Sequence, residues 1–141
     1  MSRKKILFIC THNSARSQIA EGLVNVLHGG IFEARSAGTE PSRINPLAVE
    51  VLGEIGINIS EYRSKGLEQF IAEEFDYVIT VCDHAKETCP IFPGAKNTIH
   101  KGFEDPASVS GPLHKQKKAF RTVRDQIKEW IENELISICF S

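Results

Sequence analysis

Ile6-Leu7-Phe8-Ile9-Cys10-Thr11-His12-Asn13-Ser14-Ala15-Arg16-Ser17 passes from an unbroken apolar run, through small and polar residues, toward a helical pattern. Ile6 to Ile9 does not alternate, which is how a strand reads when both faces of its sheet are covered. Ile19, Leu23, Val26 and Leu27 then recur at helical spacing up to Gly29-Gly30, where glycine tolerates the positive φ that ends a helix. Working outward, Phe32 to Ser36 reads as a second strand, Leu47 to Ile55 as a second helix and Gly66 to Glu74 as a short third helix. Tyr77 to Val81 and Asn97 to His100 read as strands three and four, and Phe120, Val123, Ile127, Ile131 and Leu135 stripe a long C-terminal helix. Strands alternating with helices predict an α/β fold, a three-layer sandwich around a four-stranded parallel sheet. The 141 residues are enough for one core, so residues 1–141 are expected to form a single catalytic domain.

Seventeen Lys and Arg against eighteen Asp and Glu leave a formal charge of -1, so no overall field draws the chain to nucleic acid or to an anionic membrane. The apolar run after Arg3-Lys4-Lys5 is five residues long, too short for a signal peptide or an anchor, and no stretch approaches 18 apolar residues. The expectation is a soluble, cytoplasmic monomer. Its four cysteines then begin reduced, which points to catalysis, redox work or metal rather than to structural disulfides.

The loop from Cys10 to Ser17 leaves the C-terminal end of a buried strand and enters a helix, the place where α/β folds bind ligands. Backbone N–H groups of Thr11, His12, Asn13, Ser14, Ala15, Arg16 and Ser17, together with the positive helix end, suit a tetrahedral oxyanion. The Arg16 guanidinium can fork onto two of its oxygens. The same field favours the thiolate of Cys10, a nucleophile poised below the central atom of the oxyanion. Asn13 and Ser17 can hydrogen-bond the loop or the sulfur. The plain alternative is a buried strand-end Cys10 beside a solvated Arg16.

Cys10 through Gly22 resembles the phosphate loop and first helix of the low-molecular-weight tyrosine phosphatases and of the thioredoxin-coupled arsenate reductases built on the same fold. Ser36-Ala37-Gly38 and Asp105-Pro106 also stand where these families carry them, and the likeness spans nearly the whole chain. The resemblance implies that Asp105 is the general acid that protonates the departing oxygen, a role in keeping with an aspartate held by a following proline at the head of the Asp105 to Pro112 loop. Glu104 is the rival acid, and an ordinary turn aspartate is the plain reading.

For the reductases, the resemblance implies a relay of three thiols. Cys10 forms an adduct with arsenate, Cys82 attacks the Cys10 sulfur and expels arsenite, and Cys89 then takes over the disulfide, which a thioredoxin-like dithiol removes. Phosphate and sulfate would act as arsenate analogues, and no bound cofactor is needed. If strands one and three are neighbours, Cys82 leaves the same sheet edge as Cys10. A helical Cys82 to Cys89 segment would hold its Cα atoms roughly 10.5 Å apart, beyond the about 7 Å reach of a disulfide, so this stretch up to Pro90 is expected to refold on oxidation. Buried or bystander cysteines are the plain alternative, and Cys82, His84 and Cys89 lack the paired spacing and fourth ligand of a zinc site, so no metal is expected.

The chain departs from these families at four positions. His12 replaces a glycine, where it can add a donor or a positive charge beside the oxyanion, and Ala15 replaces a further cysteine. Lys65 stands where some relatives place an acid that helps Asn13, Glu21 and Ser36 hold a monovalent cation, which a lysine would repel. Ala107 occupies a position that the phosphatases fill with an aromatic grip for phosphotyrosine, so a phosphatase hydrolysing phosphomonoesters through a Cys10 phosphocysteine is the second reading. Cys139 has no expected role, and His28, His100 and His114 look structural or solvated.

Overall fold

Ile6, Leu7, Phe8 and Ile9 of strand β1 (Lys4–Cys10) are each fully excluded from solvent, so both faces of this strand are covered, as its unalternating pattern predicts. The computed structural model describes residues 3–83 and 92–140. Cys89, His84 and most of the expected Cys82 to Pro90 switch lie outside the described residues. After β1 come α1 (Arg16–Leu27), β2 (Phe32–Gly38), α2 (Pro46–Gly53), β3 (Tyr77–Thr80), β4 (Thr98–His100), α3 (Leu113–Trp130), a π-turn over Ile131–Leu135, and α4 (Ile136–Phe140). The strands form a parallel four-stranded sheet in the order β2-β1-β3-β4, with Ile9 opposite Ala37 on one side and Thr80 on the other. From β1 the chain crosses to β2 and then returns past β1 to β3. That reversal makes the C-terminal ends of β1 and β3 the switch point at which α/β sheets open a crevice.

The helices follow from local chemistry and one shared seam. Asn45 caps α2 by accepting from the Leu47 N–H at 2.9 Å, and Pro46 sits in the first turn, where its missing donor costs nothing. Across the seam, Arg121 of α3 grips Glu54 at 2.7 Å, while Arg124 donates to Glu54 at 3.0 Å and to the Val51 carbonyl at 2.8 Å. The hydrogen-bonded Arg121 guanidinium holds the Glu54 carboxyl down at about 2. Among the described residues no helix is long and apolar enough to cross a membrane.

The structure corrects several local expectations. Gly66 to Glu74 is not a helix, and a single 3-10 turn at Leu67–Gln69 stands there. The reason is tertiary: Gly66 bridges to Gly38, and the Lys65 carbonyl accepts from the Gly38 N–H at 2.8 Å, so this backbone is committed to the sheet edge. Helix α2 stops at Gly53 rather than Ile55, β2 runs on to Gly38, and β3 ends at Thr80, with the Val81 N–H still bonded to the Ile9 carbonyl at 2.9 Å. The C-terminal helix begins at Leu113, after Pro112, and is interrupted by the π-turn.

Candidate active site

The loop between β1 and α1 is shaped from outside by main-chain bonds. The carbonyls of Cys10, Thr11, His12 and Ser14 accept from the N–H groups of Thr39, Glu40, Ser42 and Asn45 at 3.2, 2.8, 3.2 and 2.9 Å. In a trans peptide the N–H points opposite to the C=O, so the N–H groups of Thr11, His12, Asn13 and Ala15 turn away from that segment. Gly38 permits the close fit, since a Cβ there would stand 2.6 Å from the Thr11 carbonyl oxygen and 2.8 Å from the Asn13 nitrogen. Asn13 takes the left-handed backbone conformation, φ 49°, that asparagine tolerates better than most residues. Helix α1 starts after Ala15 without a side-chain cap, which leaves its first-turn donors for an anion.

The hydrogen bonds around Cys10 run in one direction. Gln18 Nε2 and the Lys65 N–H both donate to Asn13 Oδ1 at 2.8 Å, which fixes the orientation of the Asn13 amide. Asn13 Nδ2 in turn donates to Ser17 Oγ at 2.8 Å, leaving the Ser17 hydroxyl hydrogen for Cys10 Sγ, 2.8 Å away. The sulfur therefore sits as an acceptor at the end of a buried polar chain, the arrangement that suits a thiolate. Arg16 is steered by the Phe103 carbonyl at 2.9 Å and lies 3.8 Å from the Asp105 carboxylate. Asp105 caps the turn at Pro106–Ser108 through the Ala107 N–H at 2.9 Å and remains half-exposed. Cys10, His12, Ser14, Ala15, Arg16, Ser42, Asp105 and Ala107 line one cavity of about 90 Å³.

Cys82 emerges from β3 beside the loop, with its sulfur 3.4 Å from Thr11 Oγ1 and its side chain buried. His12 Nδ1 donates to the Glu40 carbonyl at 3.0 Å, which pins the ring at the cavity's edge. The Lys65 ammonium lies 3.6 Å from Glu21 Oε1, and Ser36 Oγ donates to the same oxygen at 2.5 Å. A protein cation thus stands against the buried Glu21 carboxylate, as its charge requires. Cys139 is buried at the far end of the sheet, where burial pushes its thiol up to about 11. His100 bonds Thr80 and Asp83 at 2.8 Å each, and His28 lies 3.7 Å from Glu132. Among the described residues no cluster of His, Cys, Asp and Glu is placed to hold a metal ion.

Sequence reasoning missed Gln18, which orients Asn13, and Ser64, whose hydroxyl donates to the His12 carbonyl at 2.7 Å. Ser64 lies 52 residues from the loop, and no local pattern marks it. A larger hollow of about 470 Å³ lies between Lys101–Glu104 and the end of α3, but Glu104, Glu129 and Glu134 on its walls repel an oxyanion.

Residues 5–138 match the family of low molecular weight phosphotyrosine protein phosphatases. The chain is 42% identical to an arsenate reductase of Halalkalibacterium halodurans over 132 residues, covering 94% of this chain and 95% of that protein. A solved arsenate reductase in the phosphate-binding state superposes with a TM-score of 0.81 at 37% identity, covering 96% of this chain and 98% of the other. A thioredoxin-dependent arsenate reductase of Corynebacterium glutamicum superposes with a TM-score of 0.68 at 33% identity, covering 96% of this chain and 63% of that one. With this sheet order, this loop and these relatives, the chain belongs to the low molecular weight phosphotyrosine protein phosphatase family.

Proposed function

We propose that this chain, as one catalytic domain over residues 1–141, reduces arsenate to arsenite with a relay of three thiols. The observation that carries the reading is the directed hydrogen-bond chain ending on Cys10 Sγ, with Cys82 held beside the same loop through Thr11. The N–H groups from Thr11 to Ser17 and the Arg16 guanidinium hold the oxyanion. Cys10 thiolate attacks arsenic(V), and Asp105 gives its proton to the departing oxygen, which leaves as water. Cys82 thiolate then attacks the Cys10 sulfur. The S–As bonding pair stays on arsenic, which departs as arsenite(III), and a Cys10–Cys82 disulfide remains. Cys89 attacks the Cys82 sulfur, releasing Cys10 as thiolate and leaving a Cys82–Cys89 disulfide for an external dithiol protein of the thioredoxin kind. Two thiols become one disulfide, which supplies the two electrons without a bound cofactor. The arsenate reductases at 37–42% identity and the thioredoxin dependence of the Corynebacterium protein support this assignment.

Hydrolysis of phosphomonoesters is the second reading, because Cys10, Arg16 and Asp105 share the cavity needed for a phosphocysteine. Ala107, at the cavity wall, offers no aromatic face to a phosphotyrosine ring. NADPH oxidation coupled through thioredoxin reductase and thioredoxin separates the two. Arsenate is expected to drive multiple turnovers in the parent and none in Cys10→Ser, Cys82→Ser or Cys89→Ser. Aryl phosphate hydrolysis that needs Cys10 alone, with no arsenate-dependent NADPH oxidation, would make the chain a phosphatase.

A further inference from the structure

The residues on either side of Cys82 are tied to one imidazole. His100 Nδ1 lies 2.8 Å from Thr80 Oγ1, and His100 Nε2 lies 2.8 Å from Asp83 Oδ1. An ionised carboxylate accepts and does not donate, so Nε2 carries a proton toward Asp83. Nδ1 then faces a hydroxyl that can donate or accept, so the contact persists whether the ring is neutral or charged. Carboxylate, imidazole and hydroxyl stand in the order of a hydrolytic triad, but the hydroxyl is closed to substrate, since Thr80 is only 3% exposed. The arrangement acts mechanically instead. His100 is the register partner of Thr80, and the Lys101 and Phe103 N–H groups bond the Thr80 and Val81 carbonyls at 2.9 and 3.0 Å. Gly102 lets the fold close tightly, because a Cβ there would stand 3.0 Å from Asp83 Oδ1 and 3.4 Å from His100 Nε2. Between these anchors the Cys82 sulfur rests against Thr11 of the oxyanion loop.

We propose that His100, braced by Asp83 and Thr80, is a positioning residue for Cys82. It clamps both flanks of the cysteine so that the sulfur stays buried against the loop and meets the Cys10 sulfur in line. The catalytic part of this inference rests on the relay proposed above, whereas the clamp itself does not. In that relay the clamp serves the second displacement, in which Cys82 thiolate takes the Cys10 sulfur and the electron pair leaves with arsenic.

The test reads the thiols directly and then the turnover. Reduced parent, His100→Ala, Thr80→Val and Asp83→Asn are treated with iodoacetamide, and alkylation is followed at each cysteine by peptide mapping. His100→Ala loses two hydrogen bonds and should raise alkylation at Cys82 about tenfold, with Cys10 and Cys139 within about twofold of the parent. Asp83→Asn keeps an oxygen that accepts from Nε2 and should stay close to the parent. In the coupled arsenate assay, kcat of His100→Ala should fall about tenfold with KM for arsenate preserved, because the oxyanion loop is untouched. Thr80→Val removes one hydroxyl and gives the same direction with a smaller size, which keeps the question decidable if His100→Ala does not fold. An unchanged Cys82 rate, or equal acceleration at all three thiols, would overturn the clamp. A parent that reduces no arsenate would defeat the relay, while the alkylation rates would still decide the clamp.

Discussion

Cys10 and Cys139 are both buried cysteines, yet their sulfurs have different surroundings. Cys139 sits in α4 among apolar neighbours and Tyr77, and burial raises its thiol from 9.0 to about 11. Cys10 is at least as buried, at 3% exposure against 9%, but it stands at the end of a chain of donors, its sulfur against Ser17 in the first turn of α1. Burial alone silences a thiol. Burial combined with directed hydrogen bonds and unspent backbone donors prepares one.

The strongest way to break this comparison is to exchange serine for each sulfur. Cys10→Ser should lose on the order of 10³-fold or more in arsenate turnover, whereas Cys139→Ser should stay within about twofold in the same coupled assay. Equal losses would mean that Cys10 matters only as packing. A smaller effect isolates the donor chain. Asn13→Ala removes the link between Gln18 and Ser17 and also puts alanine, which tolerates positive φ less well than asparagine, at this position, so kcat should fall by roughly 10- to 100-fold. Asn13→Gly relieves the backbone and not the lost amide. If it regains parent activity, conformation rather than polarisation was responsible. The smallest effect lies at Cys139. Its folded-state pKa is raised, so the native chain keeps a proton that the unfolded chain gives up, and stability falls as pH climbs from about 9 toward 11. Tyr77, raised chiefly by burial, adds to the same slope at its upper end. Urea midpoints measured across this range should drop less steeply for Cys139→Ala than for the parent.

Much of this contrast was legible in the residues themselves. The unbroken Ile6 to Ile9 run and the helical repeat after it placed the loop between β1 and α1 correctly, because each signal is local. Gly66 to Glu74 misled because Gly66 bridges to Gly38, and Lys65 just before it bonds Gly38 and Asn13, partners remote in the chain that override the local pattern. Ser64 and the Phe103 carbonyl reach the loop from 52 and 87 residues away, and neither carries a signature. The π-turn is a different case. Ile127, Ile131, Leu135 and Cys139 are all buried at strict steps of four, and each step overruns the 3.6-residue repeat by about 0.4 residues. A straight helix would carry that stripe off the core, and the wider turn at Ile131–Leu135 brings it back.

The loop between β1 and α1 is held from outside by four main-chain donors, those of Thr39, Glu40, Ser42 and Asn45. A peptide N–H is present whatever side chain accompanies it, proline excepted. The shape of the site is therefore largely insulated from sequence drift in the segment that supports it. At Thr39, Glu40 and Ser42 the contact that supports the loop is the main-chain donor, which a change of side chain leaves in place. Proline at any of these four positions would delete one of the donors.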